Sequence, residues 1–143
     1  MKKIIVNVDG GAKNNPGPAA IGVVFSNEKG EIFRKFSHFL GENFTNNEAE
    51  YLAVIFALKK FKQIFGNKLA KNTEIEIRSD SELLVNQMKG KYKVLDPKIQ
   101  PLFLELWNLT LDFKKIKFRL IKRENNKEAD KLVNEILNRK SFS

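Results

Sequence analysis

Short apolar runs and clusters of turn-forming residues alternate along the first part of the chain. Residues 4–8, 21–25 and 32–40 are rich in Ile, Val, Phe and Leu, and the segments between them carry Gly, Pro and Asn. Runs of this kind predict strands, and residues 27–30 have the length and chemistry of a hairpin turn. The pattern therefore predicts three consecutive antiparallel strands.

Helical periodicity begins after the third strand. Residues 45–65 carry apolar positions three and four apart, Thr45 and Glu48 have capping-box spacing, and Gly66 is a stop signal. Farther along, the pattern predicts strands at 73–79 and 115–122 and helices at 81–89, 97–111 and 126–139. A strand that returns after a helix pairs in parallel with the first strand through a right-handed crossover. We expect an α/β fold with a five-stranded mixed sheet, three antiparallel strands followed by two parallel ones, flanked by helices.

The composition is typical of one compact domain over residues 1–143, with 42% hydrophobic residues and no Pro/Ser-rich linker. No apolar run of about 18 residues and no signal segment is present, so we expect a cytoplasmic protein with no membrane association. We also expect a monomer. The 26 basic and 17 acidic residues give a net charge of +9, which favours a polyanionic partner.

Cysteine is absent, and His38 is the only histidine. This excludes disulfides, thiolate catalysis, Cys-based zinc sites and a His-based triad. His38 lies in a strand-like stretch, where we expect a structural role. Any chemistry must therefore depend on carboxylates.

Four carboxylates occupy positions that suggest a metal site. Asp9 closes the first strand and Asp80 ends the fourth, and ligands of open α/β sheets bind at the carboxyl ends of parallel strands. Glu50 lies in the apolar stripe of the first helix, and Asp130 opens the last helix. Acids are costly to bury unless they are paired or ligated, and hard cations such as Mg²⁺ prefer oxygen ligands. On so basic a chain, a substrate with phosphates is expected.

Helix geometry selects Glu50 rather than Glu48 for this site, because each residue advances by about 100° around the axis. The residues within roughly 80° of Glu50 are apolar: Ala53, Val54, Ala57, Leu58, Phe61, Ile64 and Phe65. Glu48 lies about 160° away and is assigned to the capping box. Each acid also has an ordinary structural alternative. Glu50 and Asp130 can interact favourably with helix dipoles, Asp9 can be a turn residue, and Asp80 can cap a helix.

Four motifs follow one another in the chain: Asp9-Gly10-Gly11 with Asn15-Pro16-Gly17-Pro18, Thr45-Asn46-Asn47 with Glu50, Ser79-Asp80-Ser81, and Asn126-Lys127-Glu128-Ala129-Asp130. In this order the sequence resembles type 1 ribonuclease H over residues 3–138. The resemblance implies a ribonuclease H-like fold and an enzyme that hydrolyses the RNA strand of RNA/DNA hybrids with Mg²⁺ or Mn²⁺.

The resemblance assigns Asp9, Glu50, Asp80 and Asp130 to catalysis and to the binding of two metal ions in the presence of substrate. It implies that the ions share the water nucleophile, the scissile phosphate and the leaving 3′-oxygen, so that the products carry 5′-phosphate and 3′-hydroxyl ends.

Discrimination of RNA from DNA requires contact with the 2′-hydroxyl in the minor groove of the hybrid. The main chain at Gly10 and Gly11 can approach closely because glycine has no Cβ. The resemblance implies that Asn15, Asn46 and Asn47 bind the strands there, and turn or cap chemistry is the alternative for these three.

The chain departs from the family pattern near the last acid, where bacterial relatives commonly carry a histidine. Arg123 is the nearest replacement, and we expect it to assist turnover by binding phosphate or stabilising developing charge. Glu82 stands where many relatives have glutamine, which puts its substrate contact in doubt.

A second departure replaces a long basic protrusion by Lys89, Lys91 and Lys93, interleaved with Tyr92. Two interpretations of these lysines remain open: they bind phosphates of the DNA strand, or they belong to a solvent-exposed connector. In the following helix, we expect Trp107 to pack in the core.

Two other functions remain open. One is a catalytically weak or inactive hybrid-binding module, suggested by the missing histidine and by Glu82, although four mutually repelling acids argue against it. The other is a nuclease of the same broad fold, such as a resolvase or integrase, although the short chain and the glycine loop argue against that.

Overall fold

The computed structural model describes residues 2–140 of the chain. Its elements are β1 (Lys3–Ala12), β2 (Gly17–Ser26), β3 (Ile32–Phe44), α1 (Asn46–Phe65), α2 (Asn67–Lys71), β4 (Glu74–Ser79), α3 (Glu82–Met88), α4 (Gln100–Thr110), β5 (Lys115–Leu120) and α5 (Lys127–Lys140). A 3-10 turn at Arg123–Asn125 joins β5 to α5. Residues 1 and 141–143 of the predicted single domain lie outside the described residues, and one domain stays a prediction.

The five strands form one mixed sheet in the order β3-β2-β1-β4-β5. β1 pairs with β2, and β2 with β3, in antiparallel fashion, whereas β1–β4 and β4–β5 are parallel pairs. The predicted fold class is therefore confirmed. Because β1 and β4 are parallel neighbours at the centre, their carboxyl ends meet at one edge of the sheet.

β1 continues beyond Asp9, so the prediction that this residue closes the strand was wrong. Residues 9–12 stay extended and pair with residues 19–22 of β2, while the pairing with β4 ends at Asn7. Gly10 permits this path, because a Cβ there would lie 2.3 Å from the Ala49 carbonyl of α1. The close approach brings the start of α1 against the end of the parallel pair.

The main core lies between the sheet and α1, and the capping box that begins α1 is confirmed. Thr45 Oγ1 accepts a hydrogen bond from the Glu48 N–H at 3.1 Å, and Glu48 Oε1 accepts one from the Thr45 N–H at 2.9 Å. Ile64 was predicted to face the core but is 38% exposed. In the same last turn, Phe65 still packs against Phe33 of β3 and against Phe61, so Phe65 covers the core there in place of Ile64.

The stop signal at Gly66 is confirmed, because α1 ends at Phe65. The sequence did not predict the short helix α2 that begins directly after Gly66, in which Ala70 is fully buried. The prediction for Trp107 in α4 was wrong. Trp107 is 48% exposed, since Leu106 and Leu109 fill the buried side of α4 and Trp107 lies one position, about 100°, around the helix from Leu106.

α5 packs on the opposite face of the sheet, against β1, β2 and β3, around a small second apolar cluster of Ala20, Val133, Ile136 and Leu137. On β3, the ring of His38 stacks on Phe56 at 5.8 Å between centroids. None of the helices in residues 2–140 is long and apolar enough to cross a membrane.

Candidate active site

Three of the four predicted acids converge where the parallel strands end. Asp9 projects from β1, Glu50 from the first turns of α1 and Asp80 from the residue after β4. One carboxylate oxygen from each lies within 4.8 Å of the other two. Asp9 and Glu50 are only 8% and 7% exposed, and Asp80 is half-buried.

Glu50 is held in place by one main-chain group and one side chain. The Gly10 N–H donates to Glu50 Oε1 at 2.6 Å, and the Ser79 hydroxyl donates to Oε2 at 3.5 Å. Because Glu50 lies on α1 and its two partners lie on β1 and β4, the position of this carboxylate depends on how the three elements pack.

The electrostatics of the cluster favour a cation. Burial, and after it the Asp80 carboxylate, raises the pKa of Asp9 to about 7. Burial and then the charge of Asp9 raise the pKa of Glu50 well above its ordinary value. Burial also raises the pKa of Asp80, against the opposing effect of a hydrogen bond from Asn126. Clustered carboxylate oxygens whose repulsion a divalent ion would relieve are a donor set that fits Mg²⁺ or Mn²⁺.

Asp130 lines the same cleft but lies outside the group of three. Its Oδ1 is 3.7 Å from Arg123 Nη2, and its Oδ2 accepts a hydrogen bond from Asn134 Nδ2 at 3.2 Å. The fourth acid is thus held from both sides, by Arg123, which the sequence places near it, and by Asn134, which the sequence did not point to.

Asn126 fixes the start of α5 against β1. Its side chain is 1% exposed, its Nδ2 donates to the Val8 carbonyl at 2.8 Å, and its Oδ1 accepts from Asn7 at 3.1 Å. In the sequence, Asn126 stands out only as the first residue of a motif, and Asn134 belongs to no motif. Their spacing of four residues on either side of Asp130 places all three on one helix side and was the available signal.

The acids line a cleft of about 1000 Å³. Gly10, Gly11, Asn46 and Arg123 of the predicted substrate-binding residues also line it, together with Lys13, which the sequence reasoning missed.

Asn15 and Asn47 are exposed outside this lining. The Asn46 N–H donates to Asn15 Oδ1 at 2.9 Å, and the Ala12 N–H donates to Asn46 Oδ1 at 2.8 Å. These two side chains thus join the β1–β2 region to the start of α1, and their contact with substrate stays a prediction.

The three connector lysines Lys89, Lys91 and Lys93 are exposed and do not line the cleft. Their segment is fastened to α3, because the Tyr92 hydroxyl donates to Glu82 Oε1 at 2.9 Å. Glu82, at the mouth of the cleft, thus already has a partner within the chain.

Residues 7–136 match the family model described as reverse transcriptase-like. The fold superposes on the crystal structure of LC11-RNase H1 in complex with an RNA/DNA hybrid with a TM-score of 0.90 and 45% sequence identity, covering 98% of this chain and 99% of that one. A ribonuclease H from Polynucleobacter asymbioticus is 32% identical over 139 residues, which is 95% of this chain and 88% of the relative.

Some relatives are much longer than this chain. The bifunctional protein Rv2228c from Mycobacterium tuberculosis is 32% identical over 136 residues, which is 94% of this chain but 35% of the relative. The chain thus spans about a third of the length of the mycobacterial relatives that it matches.

Proposed function

The chain belongs to the type 1 ribonuclease H family, and from this premise we propose that it is an endoribonuclease that hydrolyses the RNA strand of RNA/DNA hybrids. The observation that carries the proposal is the meeting of Asp9, Glu50 and Asp80 within 4.8 Å at the edge of the sheet. A relative of the same fold and 45% identity was solved with an RNA/DNA hybrid, which supports this substrate.

In this proposal, Asp9, Glu50, Asp80 and Asp130 are the catalytic residues and hold two divalent cations, Mg²⁺ or Mn²⁺, when substrate is present. Such cations lower the pKa of bound water toward neutrality and stabilise charge on the phosphate and the leaving oxygen. The role of the protein itself is to hold the carboxylates in fixed positions. The 2.6 Å bond from Gly10 orients Glu50, and the contacts from Arg123 and Asn134 orient Asp130.

Substrate contacts belong to the same proposal. The main chain at Gly10 and Gly11 can approach the minor groove, with Asn46 and Asn47 beside it at the start of α1 and Asn15 in the β1–β2 turn. Lys89, Lys91 and Lys93 are exposed cations that can reach phosphates of the DNA strand. The products would carry 5′-phosphate and 3′-hydroxyl ends. A monomeric, cytoplasmic protein remains our prediction.

The test is cleavage of a hybrid labelled on its RNA strand, in parallel with the same sequence as duplex DNA and as duplex RNA. With Mg²⁺ we expect cleavage of the hybrid, none with chelator, and a loss of at least about 100-fold in Asp9→Asn, because one ligand of the cations is lost. Glu28→Gln is the matched control, since Glu28 is an exposed acid in the β2–β3 hairpin.

Two other outcomes of this assay would each favour a different function. Hybrid binding without cleavage in the wild type would favour an inactive binding module, and cleavage of duplex DNA would favour a DNA nuclease of the same broad fold.

The contribution of Arg123 has its own test. Its guanidinium lies 3.7 Å from Asp130 and cannot act as a base at neutral pH, so it can only bind or orient charge. We expect Arg123→Ala to lower kcat several-fold, with partial recovery in Arg123→Lys. Unchanged kcat and unchanged hybrid affinity in Arg123→Ala would remove Arg123 from the mechanism.

A further inference from the structure

One face of the sheet presents cations next to the active site. In the parallel register, Glu74, Glu76 and Arg78 of β4 pair with Lys115, Lys117 and Arg119 of β5, and Lys3 of β1 pairs with Glu74. Directly paired residues point to the same side of a sheet. We call Lys3, Arg78, Lys115, Lys117 and Arg119 the cationic face.

The cationic face is open to solvent. The alternate residues Ile75 and Ile77 point into the main core, so the cations point to the other side, where α5 packs against β1, β2 and β3. The three cations of β5 are exposed, and the side chain of Arg78 is 34% exposed.

The cations outnumber the acids among them. Glu74 and Glu76 are the carboxylates at the paired positions, two against the five cations. Glu76 alone contacts three of the five, with Arg78 Nε at 2.6 Å, Lys3 Nζ at 3.6 Å and Arg119 Nη1 at 3.8 Å. This shared carboxylate lowers the repulsion within the cationic face but leaves it with net positive charge.

Protection of a sheet edge explains only part of this arrangement. Lysines on an edge strand discourage pairing with other chains, which accounts for Lys115 and Lys117 on β5. It does not account for Arg78 on the inner strand β4 or for Lys3 on the central strand β1. Arg78 also lies directly opposite Arg119, and the one carboxylate that contacts both of them, Glu76, leaves this pair with a net positive charge.

The cationic face lies beside the active site on the same side of the sheet, and the side chain of Asn126 bonds to Asn7 between them. Asp80 follows Arg78 by two residues, and Asp9 follows Asn7, the β1 partner of Arg78, by two residues. Side chains two apart on a strand project on the same side at a spacing of about 6.6 Å, which applies to Asn7 and Asp9 within β1, and Asp80 lies one residue past the end of β4 beside Asp9. A nucleic-acid strand that leaves the cleft past these acids therefore meets Arg78 and Arg119 first and the lysines next.

We infer that the cationic face binds the phosphate backbone of the nucleic-acid segment that extends beyond the cleft, and so makes the protein favour long hybrids over short ones. This rests on the proposed function, because the occupant is the flank of the substrate itself. Arg78 and Arg119 would bind the phosphates nearest the cleft, and Lys115 and Lys117 the more distant ones.

The test compares a short hybrid, just long enough to be cleaved, with the same hybrid extended by about 12 base pairs at either end. Lys115, Lys117 and Arg119 are all changed to Gln in one variant. Its matched control changes Lys29, Lys68 and Lys71 to Gln, three exposed lysines on the β2–β3 hairpin and α2. Thermal melting checks that both variants fold.

For the extended hybrid, we expect the cationic-face variant to raise KM about tenfold at unchanged kcat, and to reduce the slope of log KM against log salt by about 2 to 3. The short hybrid should show neither change, and the control variant should match the wild type on both. The end whose extension produces the effect identifies the flank that is bound.

Equal KM values for the cationic-face and control variants on the extended hybrid would overturn the inference, and so would equal increases on the short and extended hybrids. If the wild type cleaves neither hybrid, the proposed function fails. Fluorescence anisotropy of the extended hybrid in chelator then still tests the cationic face, and equal affinities of the variant and the wild type would overturn it.

Discussion

Replacing Asp9 by asparagine should make the metal-free protein more stable, although it removes a central side chain of the proposed active site. Burial and the neighbouring Asp80 raise the pKa of Asp9 from 3.8 to about 7. Above that pH, the folded chain must hold the ionised carboxylate close to those of Glu50 and Asp80, whereas the unfolded chain leaves it in water. Asparagine fills nearly the same space without the charge.

The size of the effect follows from this pKa. A carboxyl group whose pKa rises from 3.8 to about 7 costs the folded state on the order of 4 kcal/mol once it is ionised. The folded state keeps the proton at pH values where the unfolded state has lost it. The stability of the metal-free protein therefore falls as the pH rises from about 4 to about 7 and then levels off. Since the amide is also costly to bury, we expect Asp9→Asn to gain roughly 2 to 4 kcal/mol at pH 8.

The assay is urea denaturation in chelator at pH 8 and at pH 5, for the wild type, Asp9→Asn and Glu28→Gln. The advantage of Asp9→Asn should shrink from pH 8 to pH 5, and the exposed hairpin acid Glu28 should show no such difference. Addition of Mg²⁺ should stabilise the wild type more than Asp9→Asn, because a ligand that binds only the folded state raises its stability.

The opposite result would refute the reasoning. If Asp9→Asn is no more stable than the wild type at pH 8 without metal, the three carboxylates do not repel one another across a shared, poorly solvated space. The proposed cation site would then lose its electrostatic basis.

Three further predictions concern the supports of the site and the core. Gly10→Ala should lower stability by about 2 kcal/mol and weaken Mn²⁺ binding in calorimetry, because the added Cβ would lie 2.3 Å from the Ala49 carbonyl. Gly11→Ala is the control and should melt like the wild type, because its Cβ would lie 3.5 Å from the nearest atom. Tyr51→Phe should cost about 1 to 3 kcal/mol in urea denaturation, because the buried Tyr51 hydroxyl donates to Gln87 at 2.6 Å, and unchanged stability would contradict this. Against the opposing effect of burial, Arg78, Lys3 and Arg119 lower the pKa of Glu76. The stability that Glu76 contributes is therefore present above its unfolded pKa and is lost as the pH falls through its folded pKa. In thermal melting, Glu76→Gln should melt lower than the wild type at pH 7 and differ less from it near pH 3.

The fold was largely predictable because its elements depend on local patterns. The β-branched runs, the capping box at Thr45 and the stop at Gly66 determine the order of strands and helices, and the handedness of crossovers then constrains the sheet. The short helix after Gly66 and the exposure of Trp107 were not predictable. Both depend on which side of a helix the neighbouring elements cover, and the periodicity of α4 alone did not separate Trp107 from Leu106.

The candidate site was likewise predictable only in part. The convergence of Asp9 and Asp80 follows from strand direction, and the side of the helix on which Glu50 lies follows from its apolar stripe. The bond from Asn126 to the Val8 carbonyl spans 118 residues and depends on the docking of α5, which no local pattern shows. The cationic face depends on the register of β4 against β5, which the sequence does not specify.

The most direct test of the central claim is the anomalous scattering of Mn²⁺ in crystals of the wild type and of Asp9→Asn soaked with Mn²⁺. We predict Mn²⁺ peaks in the wild type in contact with carboxylate oxygens of Asp9, Glu50 and Asp80, and their loss or marked weakening in Asp9→Asn. Wild-type crystals with Mn²⁺ bound elsewhere and no peak among these three side chains would contradict the account.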